Sequence, residues 1–248
     1  GDAGLEFHMR AINGALVMTG QQMYDQVTLY SFTVIPLFIL MGALINRSNL
    51  AHELYDAANA FVGHFRGGLA MGTVVACGGF GAVCGSSMVG SLTIGGVALP
   101  EMKKLGYDNR LSSGVLAAGG TLSVLIPPSL ILLFYGIVTN TSIGDLFIAG
   151  IIPGLILVLL FCLIVFVWGK LYPSHIPDAD GTERTGIREM FTSLGPIIVI
   201  GLVITVSIYA GIATPTEGGA MGALGALVMA VARRRMSMSL LKQALNTT

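Results

Sequence analysis

The chain has 248 residues, of which 54% are hydrophobic and only 10% charged, against roughly a quarter charged in soluble domains. Thirteen basic and thirteen acidic side chains cancel to a formal charge of zero, so nothing indicates a nucleic-acid partner. The composition is that of an all-α integral membrane protein, with residues 1–248 forming a single membrane domain.

A helix needs about 20 apolar residues to cross about 30 Å of hydrocarbon. Residues 27–45 form the first such span, with a kink expected at Pro36. In residues 49–65, Leu50, Leu54, Ala57, Ala58, Phe61 and Phe65 recur at helical spacing opposite His52, Glu53, Asp56 and His64. This pattern predicts an amphipathic helix lying along the membrane interface. His52 and His64 read as headgroup-level residues rather than ligands.

Residues 67–100 are long enough to cross once and too short to cross twice. The stretch Cys77-Gly78-Gly79-Phe80-Gly81-Ala82-Val83-Cys84-Gly85-Ser86-Ser87 puts small residues and hydroxyls where a spanning helix normally carries leucine. A helix, a tip at Gly85-Ser86-Ser87 and a return segment over 92–100 would make a re-entrant hairpin. Residues 111–138 contain Gly119-Gly120-Thr121 and then Pro127-Pro128-Ser129. Paired prolines cannot continue a hydrogen-bond ladder, so two half-helices joined by unwound backbone are expected. Residues 146–168 form the longest clean span, with Trp168 suited to the interface, followed by spans at 195–214 and 216–232. Glu217 opens the last of these, where a carboxylate favours a helix N-terminus. Cys77, Cys84 and Cys162 all lie in apolar runs and read as small packing residues.

Charge placement bears on the topology. If the hairpin returns to its own side, every Lys and Arg except Arg10 falls on one face, and the loop 139–145 carries none. The positive-inside rule makes that face cytoplasmic. A full crossing through 67–100 would instead strand Arg47 and Arg66 outside and bring Arg10 to the basic face, so charge favours the hairpin only slightly. Neither end of the chain reads as a natural boundary: Gly1 opens it without an initiator Met or signal segment, and the chain is expected to be an excerpt.

Broken backbone at membrane depth is tolerated only where protein buries it or where it lines a cavity. Two breaks in neighbouring elements therefore point to a transporter's binding site. Unwound backbone over 123–128 offers carbonyl oxygens, and Ser86, Ser87, Thr121, Ser123 and Ser129 add hydroxyls, a donor set suited to dehydrated Na⁺. Half-helix N-termini at the same breaks suit a carboxylate. Glycine and serine also enrich ordinary helix contacts, and Gly68-x-x-x-Gly72 and the glycines from Gly218 to Gly225 read that way. No ionisable group lies mid-span, which argues against a proton relay. It argues equally against a membrane-embedded hydrolase using Ser86 or Ser87, since His8, His52, His64 and His175 all fall outside the spans. Metal-ligand and phosphate-loop spacings are absent.

The ordered set Pro36-Leu37-Phe38-Ile39-Leu40-Met41-Gly42, Ala98-Leu99-Pro100-Glu101-Met102-Lys103-Lys104-Leu105-Gly106-Tyr107-Asp108, Ala118-Gly119-Gly120-Thr121-Leu122, Leu125-Ile126-Pro127-Pro128-Ser129 and Thr214-Pro215-Thr216-Glu217 resembles the large membrane subunit of tripartite ATP-independent periplasmic (TRAP) transporters, the DctM-like family. The resemblance implies a multi-span transporter fold holding the first repeat and the start of an inverted second repeat. It implies a permease in the bacterial inner membrane that imports organic anions, C4-dicarboxylates or related carboxylates, with Na⁺ as coupling ion and no other cofactor. Its implied partners are a small membrane subunit, a periplasmic substrate-binding protein, the organic acid and the lipid bilayer, and an elevator-like motion is implied. Mapped onto this chain, the first Na⁺ site would use Cys84, Ser87, Ser123, Ile126 and Pro128, mostly through backbone carbonyls, with Ser86, Thr121 and Ser129 facing substrate.

Two positions depart from the family pattern: Ser123 stands where glycine is usual, and Cys84 replaces the hairpin serine. A thiol side chain would be a softer, poorer Na⁺ ligand. The second Na⁺ site would lie beyond this chain, which is expected not to transport alone. Alternatives are another ion-coupled anion carrier that needs no binding protein, a membrane-embedded serine hydrolase, and a passive channel.

Overall fold

A computed structural model describes residues 8, 10, 12–21, 24, 33–48, 50–63, 65–176, 187–233 and 235–247. Residues 27–32 of the first expected span, together with Asn49, His64, Arg184 and Arg234, lie outside the described residues. After a helical stretch over 12–21 come α1 (Val34–Arg47), α2 (Leu50–Val62), α3 (Gly68–Cys84), α4 (Ser87–Lys104), α5 (Asn109–Leu125), α6 (Leu130–Thr139), α7 (Ile143–Leu171), α8 (Ile187–Tyr209), α9 (Pro215–Ala232) and α10 (Met238–Thr247). Among the described residues every regular element is a helix.

Local chemistry sets the boundaries. Asp108 caps α5 by accepting from the Arg110 and Leu111 amides, and Ser142 caps α7 by accepting from Asp145 N–H. Thr214 and Glu217 form a reciprocal capping box at the start of α9, with Pro215 in the first turn, where its missing N–H costs nothing. Pro36 likewise falls in the first turn of α1 and breaks no bond inside the described helix.

Among the described residues two helical elements are long and apolar enough to cross a membrane, Asn109–Thr139 and Ile143–Leu171, or three if α1 and α2, bent by 74°, are counted as one. One flank of α7 leaves Ile152, Leu155, Ile156, Leu159 and Leu163 exposed, an apolar surface suited to lipid. Its other flank packs on the junction of α5 and α6. Gly150 and Gly154 permit this approach: a Cβ at Gly150 would lie 2.5 Å from the Leu125 carbonyl, and one at Gly154 2.8 Å from Ile126 Cγ1. Lipid tails are as apolar as leucine, so such close backbone contact, rather than exclusion of water, holds helices together in a membrane.

α9 packs along α1 in the same manner, with Gly219 against Leu37 and Phe38, while Gly218 faces Ile208 of α8. α1 in turn reaches the hairpin: a Cβ at Gly42 would lie 3.0 Å from that of Cys84. One core joins Phe38, Met41, Tyr55, Phe80, Ile94, Leu122 and Leu133. Cys77 and Cys84 are buried in it, Cys162 is half-buried, and all three are free thiols.

α2 differs in detail from the amphipathic pattern of its sequence. Leu54, Ala57 and Ala58 are buried, but so is Tyr55, whereas Phe61 is 62% and Phe65 44% exposed. α2 is gripped by α3 on one flank and α8 on another, so its buried face is turned toward Tyr55 and away from the phenylalanines. Glu53, on the polar side in sequence, is only 15% exposed and pairs with both Arg233 and Arg235 at the end of α9.

Candidate functional site

α3 stops because Gly85 adopts a left-handed conformation (φ +62°), with its N–H donating to the Gly81 carbonyl. Ser86 then takes extended geometry and caps α4, its Oγ accepting from the Val89 amide at 3.5 Å. The hairpin thus turns within two residues. α5 ends at Leu125 because Pro127 and Pro128 cannot donate to its ladder, and Ile126 to Ser129 run non-helically before Ser129 caps α6 through Leu132 N–H.

The hairpin turn and the break touch. Leu130 N–H donates to the Gly85 carbonyl at 3.3 Å. A Cβ at Gly85 would lie 3.0 Å from that amide nitrogen and 3.1 Å from the Pro128 carbonyl oxygen, so a side chain there would press on both. Gly120 brings α5 to 3.3 Å, measured from a Cβ built on it, of the Ser87 carbonyl oxygen. C-terminal ends of α3 and α5, rich in free carbonyls, therefore meet N-terminal ends of α4 and α6, rich in free N–H groups. Such an arrangement can hold a cation on the first set and a carboxylate on the second.

Of the residues expected to hold Na⁺, Cys84, Ser123 and Pro128 are buried and Ser87 and Ile126 half-buried, all at or beside this junction. The Cys84 thiol donates to the Ser86 carbonyl at 3.5 Å, so its sulfur is occupied locally. Ile126 N–H closes the last turn of α5 on Leu122 and its side chain packs on Gly78 and Gly154, which leaves its carbonyl as the group able to bind. Ser123 is wholly buried, and its Oγ has no hydrogen-bond partner. A buried orphan hydroxyl costs about 1–3 kcal/mol, so a polar partner for this oxygen would be favoured.

The hydroxyls expected to face substrate divide. Ser129 is buried, donates to the Val124 carbonyl at 2.6 Å and caps α6, so it is committed to holding the break. Ser86 is half-buried and committed to its cap, although its neighbouring amides stay available. Thr121 is exposed one turn before the break and bonds back to Ala118 at 2.7 Å. The contacts of Gly81 and Gly90 with Ser123, and of Gly150 and Gly154 with the break, escaped residue-type reasoning. The glycines were visible as small residues, but which partner each faces depends on the packed helices. Among the described residues no cluster of three or more His, Cys, Asp or Glu side chains could hold a metal ion.

The family model described as "Tripartite ATP-independent periplasmic transporter, DctM component" matches residues 5–248. A C4-dicarboxylate TRAP transporter large permease protein of Pseudomonas aeruginosa is 36% identical over 198 residues, covering 79% of this chain and 45% of its own length. An ectoine/5-hydroxyectoine large permease of Ruegeria pomeroyi is 38% identical, covering 85% of this chain and 49% of its own length. A sialic acid large permease of Vibrio cholerae is 32% identical, with 92% and 54% covered. The chain thus spans about half the length of the curated relatives it matches, and all three are named as permeases rather than enzymes.

Proposed function

The chain belongs to the DctM family of tripartite ATP-independent periplasmic transporters, and from that premise we propose that it is part of the large permease subunit of a Na⁺-coupled importer of organic anions. In this reading the anion is handed over by a periplasmic binding protein, and a small membrane subunit accompanies the permease in the bacterial inner membrane. The relatives' names cite C4-dicarboxylates, ectoines and sialic acid. A carboxylate is common to all three, and it is the group that the N-terminal ends of α4 and α6 suit.

The observation that carries the reading is the direct closure of one broken element on another through Leu130 and Gly85. Packing alone would be served by unbroken helices with small residues. Na⁺ would lie on carbonyls of Cys84, Ser87, Ser123, Ile126 and Pro128, two of them on a hairpin that enters the membrane from the cytoplasmic side. Carbonyl dipoles replace its hydration shell. Binding of anion and cation at one junction couples them, because each offsets the charge that the other brings into a low-dielectric site.

The complete permease, reconstituted in proteoliposomes with its small subunit and binding protein, tests this. Uptake of a labelled carboxylate should follow an inward Na⁺ gradient and stop when K⁺ replaces Na⁺. Uptake indifferent to that exchange overturns the coupling, and uptake without any binding protein favours an ordinary secondary carrier.

A further inference from the structure

Ser123 sits where three helices converge. Its Oγ contacts Gly81 of α3 so closely that a Cβ there would overlap it, and lies 3.0 Å from a Cβ built on Gly90 of α4. The same Gly90 position is 4.0 Å from Cys84 Sγ and 3.8 Å from the Phe80 ring. The hydroxyl is therefore aimed into the crotch of the α3–α4 hairpin, about one turn below its tip, between two glycines and above an aromatic floor. Ser123 is 0% exposed, and its Oγ neither donates nor accepts a hydrogen bond. Serine within a helix ordinarily satisfies its hydroxyl on the carbonyl three or four residues earlier. Thr73, Ser112, Thr121 and Ser207 of this chain all do so. Ser123 does not.

We propose that the Ser123 side-chain oxygen is a direct ligand of the coupling cation and sets its preference for Na⁺ over larger ions. This rests on the ion site proposed above and adds to its carbonyls one hard, neutral oxygen held rigidly by burial. A neutral hydroxyl suits a dehydrated alkali cation and contributes no charge that a proton could titrate. The walls formed by Gly81 and Gly90 leave the oxygen no room to retreat, so a cation larger than Na⁺ would have to spread α3 from α4. Occupancy would also explain the orphan hydroxyl, whose lone pairs would face the ion while its proton points away.

The test uses the complete permease with its small subunit, purified in detergent, and compares wild type with Ser123→Ala and Ser123→Gly. Thermal stability is titrated with NaCl at constant ionic strength made up with KCl, and ²²Na⁺ binding is competed with Li⁺ and K⁺. Ser123→Ala should weaken Na⁺ by about tenfold and narrow the gap between Na⁺ and K⁺. It should also leave the Na⁺-free protein at least as stable as wild type, because a buried unsatisfied group is gone. A purely structural serine predicts the reverse: lower stability without Na⁺ and an unchanged Na⁺ midpoint, which overturns the proposal. If wild type itself shows no Na⁺ response, the ion site fails and the role of Ser123 with it. If wild type responds and both variants match it, only the role of Ser123 falls.

Discussion

The amide of Leu130 donates to the carbonyl of Gly85 across 3.3 Å, tying the first residue of α6 to the turn between α3 and α4. Two discontinuities some 45 residues apart in sequence thereby become one structural unit. In the proposed site this contact would couple the movement of the two breaks.

Gly85→Ala should break this unit. The backbone there is left-handed, which costs an L-residue roughly 1–2 kcal/mol, and the new methyl would press on Leu130 N and the Pro128 carbonyl oxygen. The complete permease should melt several degrees lower and lose Na⁺-stimulated uptake; near-normal uptake would show that the turn is not part of the site.

Gly81→Ala should also be damaging, by an overpacking cost of about 1–3 kcal/mol, because the methyl would occupy the Ser123 side chain's place. Combining it with Ser123→Gly should recover part of the loss but not all, since Ser123 Cα lies only 2.6 Å from the built Cβ. A double-mutant cycle on thermal stability reads the coupling directly. Strict additivity of the two changes would contradict the contact.

These two pairs also show what the sequence makes legible. Pro127 and Pro128 mark where α5 stops, because the missing donors are a property of residue type, and Gly85-Ser86 marks a turn for the same reason. The long apolar face of α7 is legible as composition. What Ser123 faces is not, since it depends on how Gly81 and Gly90 nest against α5. The face of α2 is misjudged by periodicity alone: it buries Tyr55 and leaves Phe61 exposed because α3 and α8 both pack on it. Glu53 is likewise unreadable in advance, because its partner Arg233 lies 180 residues away, at the end of another helix.

That acidic residue bridges Arg233 and, at 2.9 Å, Arg235, whose guanidinium also reaches the Ser48 carbonyl at 3.4 Å. The bridge joins the end of α9 to the start of α2. Half-buried pairs lie between the near-zero worth of surface bridges and the 3–5 kcal/mol lost on breaking buried ones. Glu53→Gln should therefore cost about 1–2 kcal/mol of thermal stability. KCl at high concentration should destabilise wild type more than the variant; equal salt sensitivity would show the bridge to be energetically idle.

Asp108 supplies the pH dependence. Its carboxylate accepts from the Arg110 and Leu111 amides, and the Arg110 amide is the main cause of a pKa below the ordinary aspartate value. A group depressed on folding stabilises the folded state above its unfolded pKa, and that contribution disappears as pH falls through the folded one. Thermal stability should therefore decline below about pH 4, and Asp108→Asn, which still caps, should flatten part of that decline. Asp108→Ala should lower stability at neutral pH as well.

Counting bound ions tests the central claim, that the hairpin tip and the α5–α6 break build one Na⁺ site, most directly. Equilibrium ²²Na⁺ binding to the complete purified permease should be saturable, resistant to excess K⁺, and lower by one site per chain in Gly85→Ala than in wild type. Saturable binding of unchanged stoichiometry in that variant, or none in wild type, would contradict it.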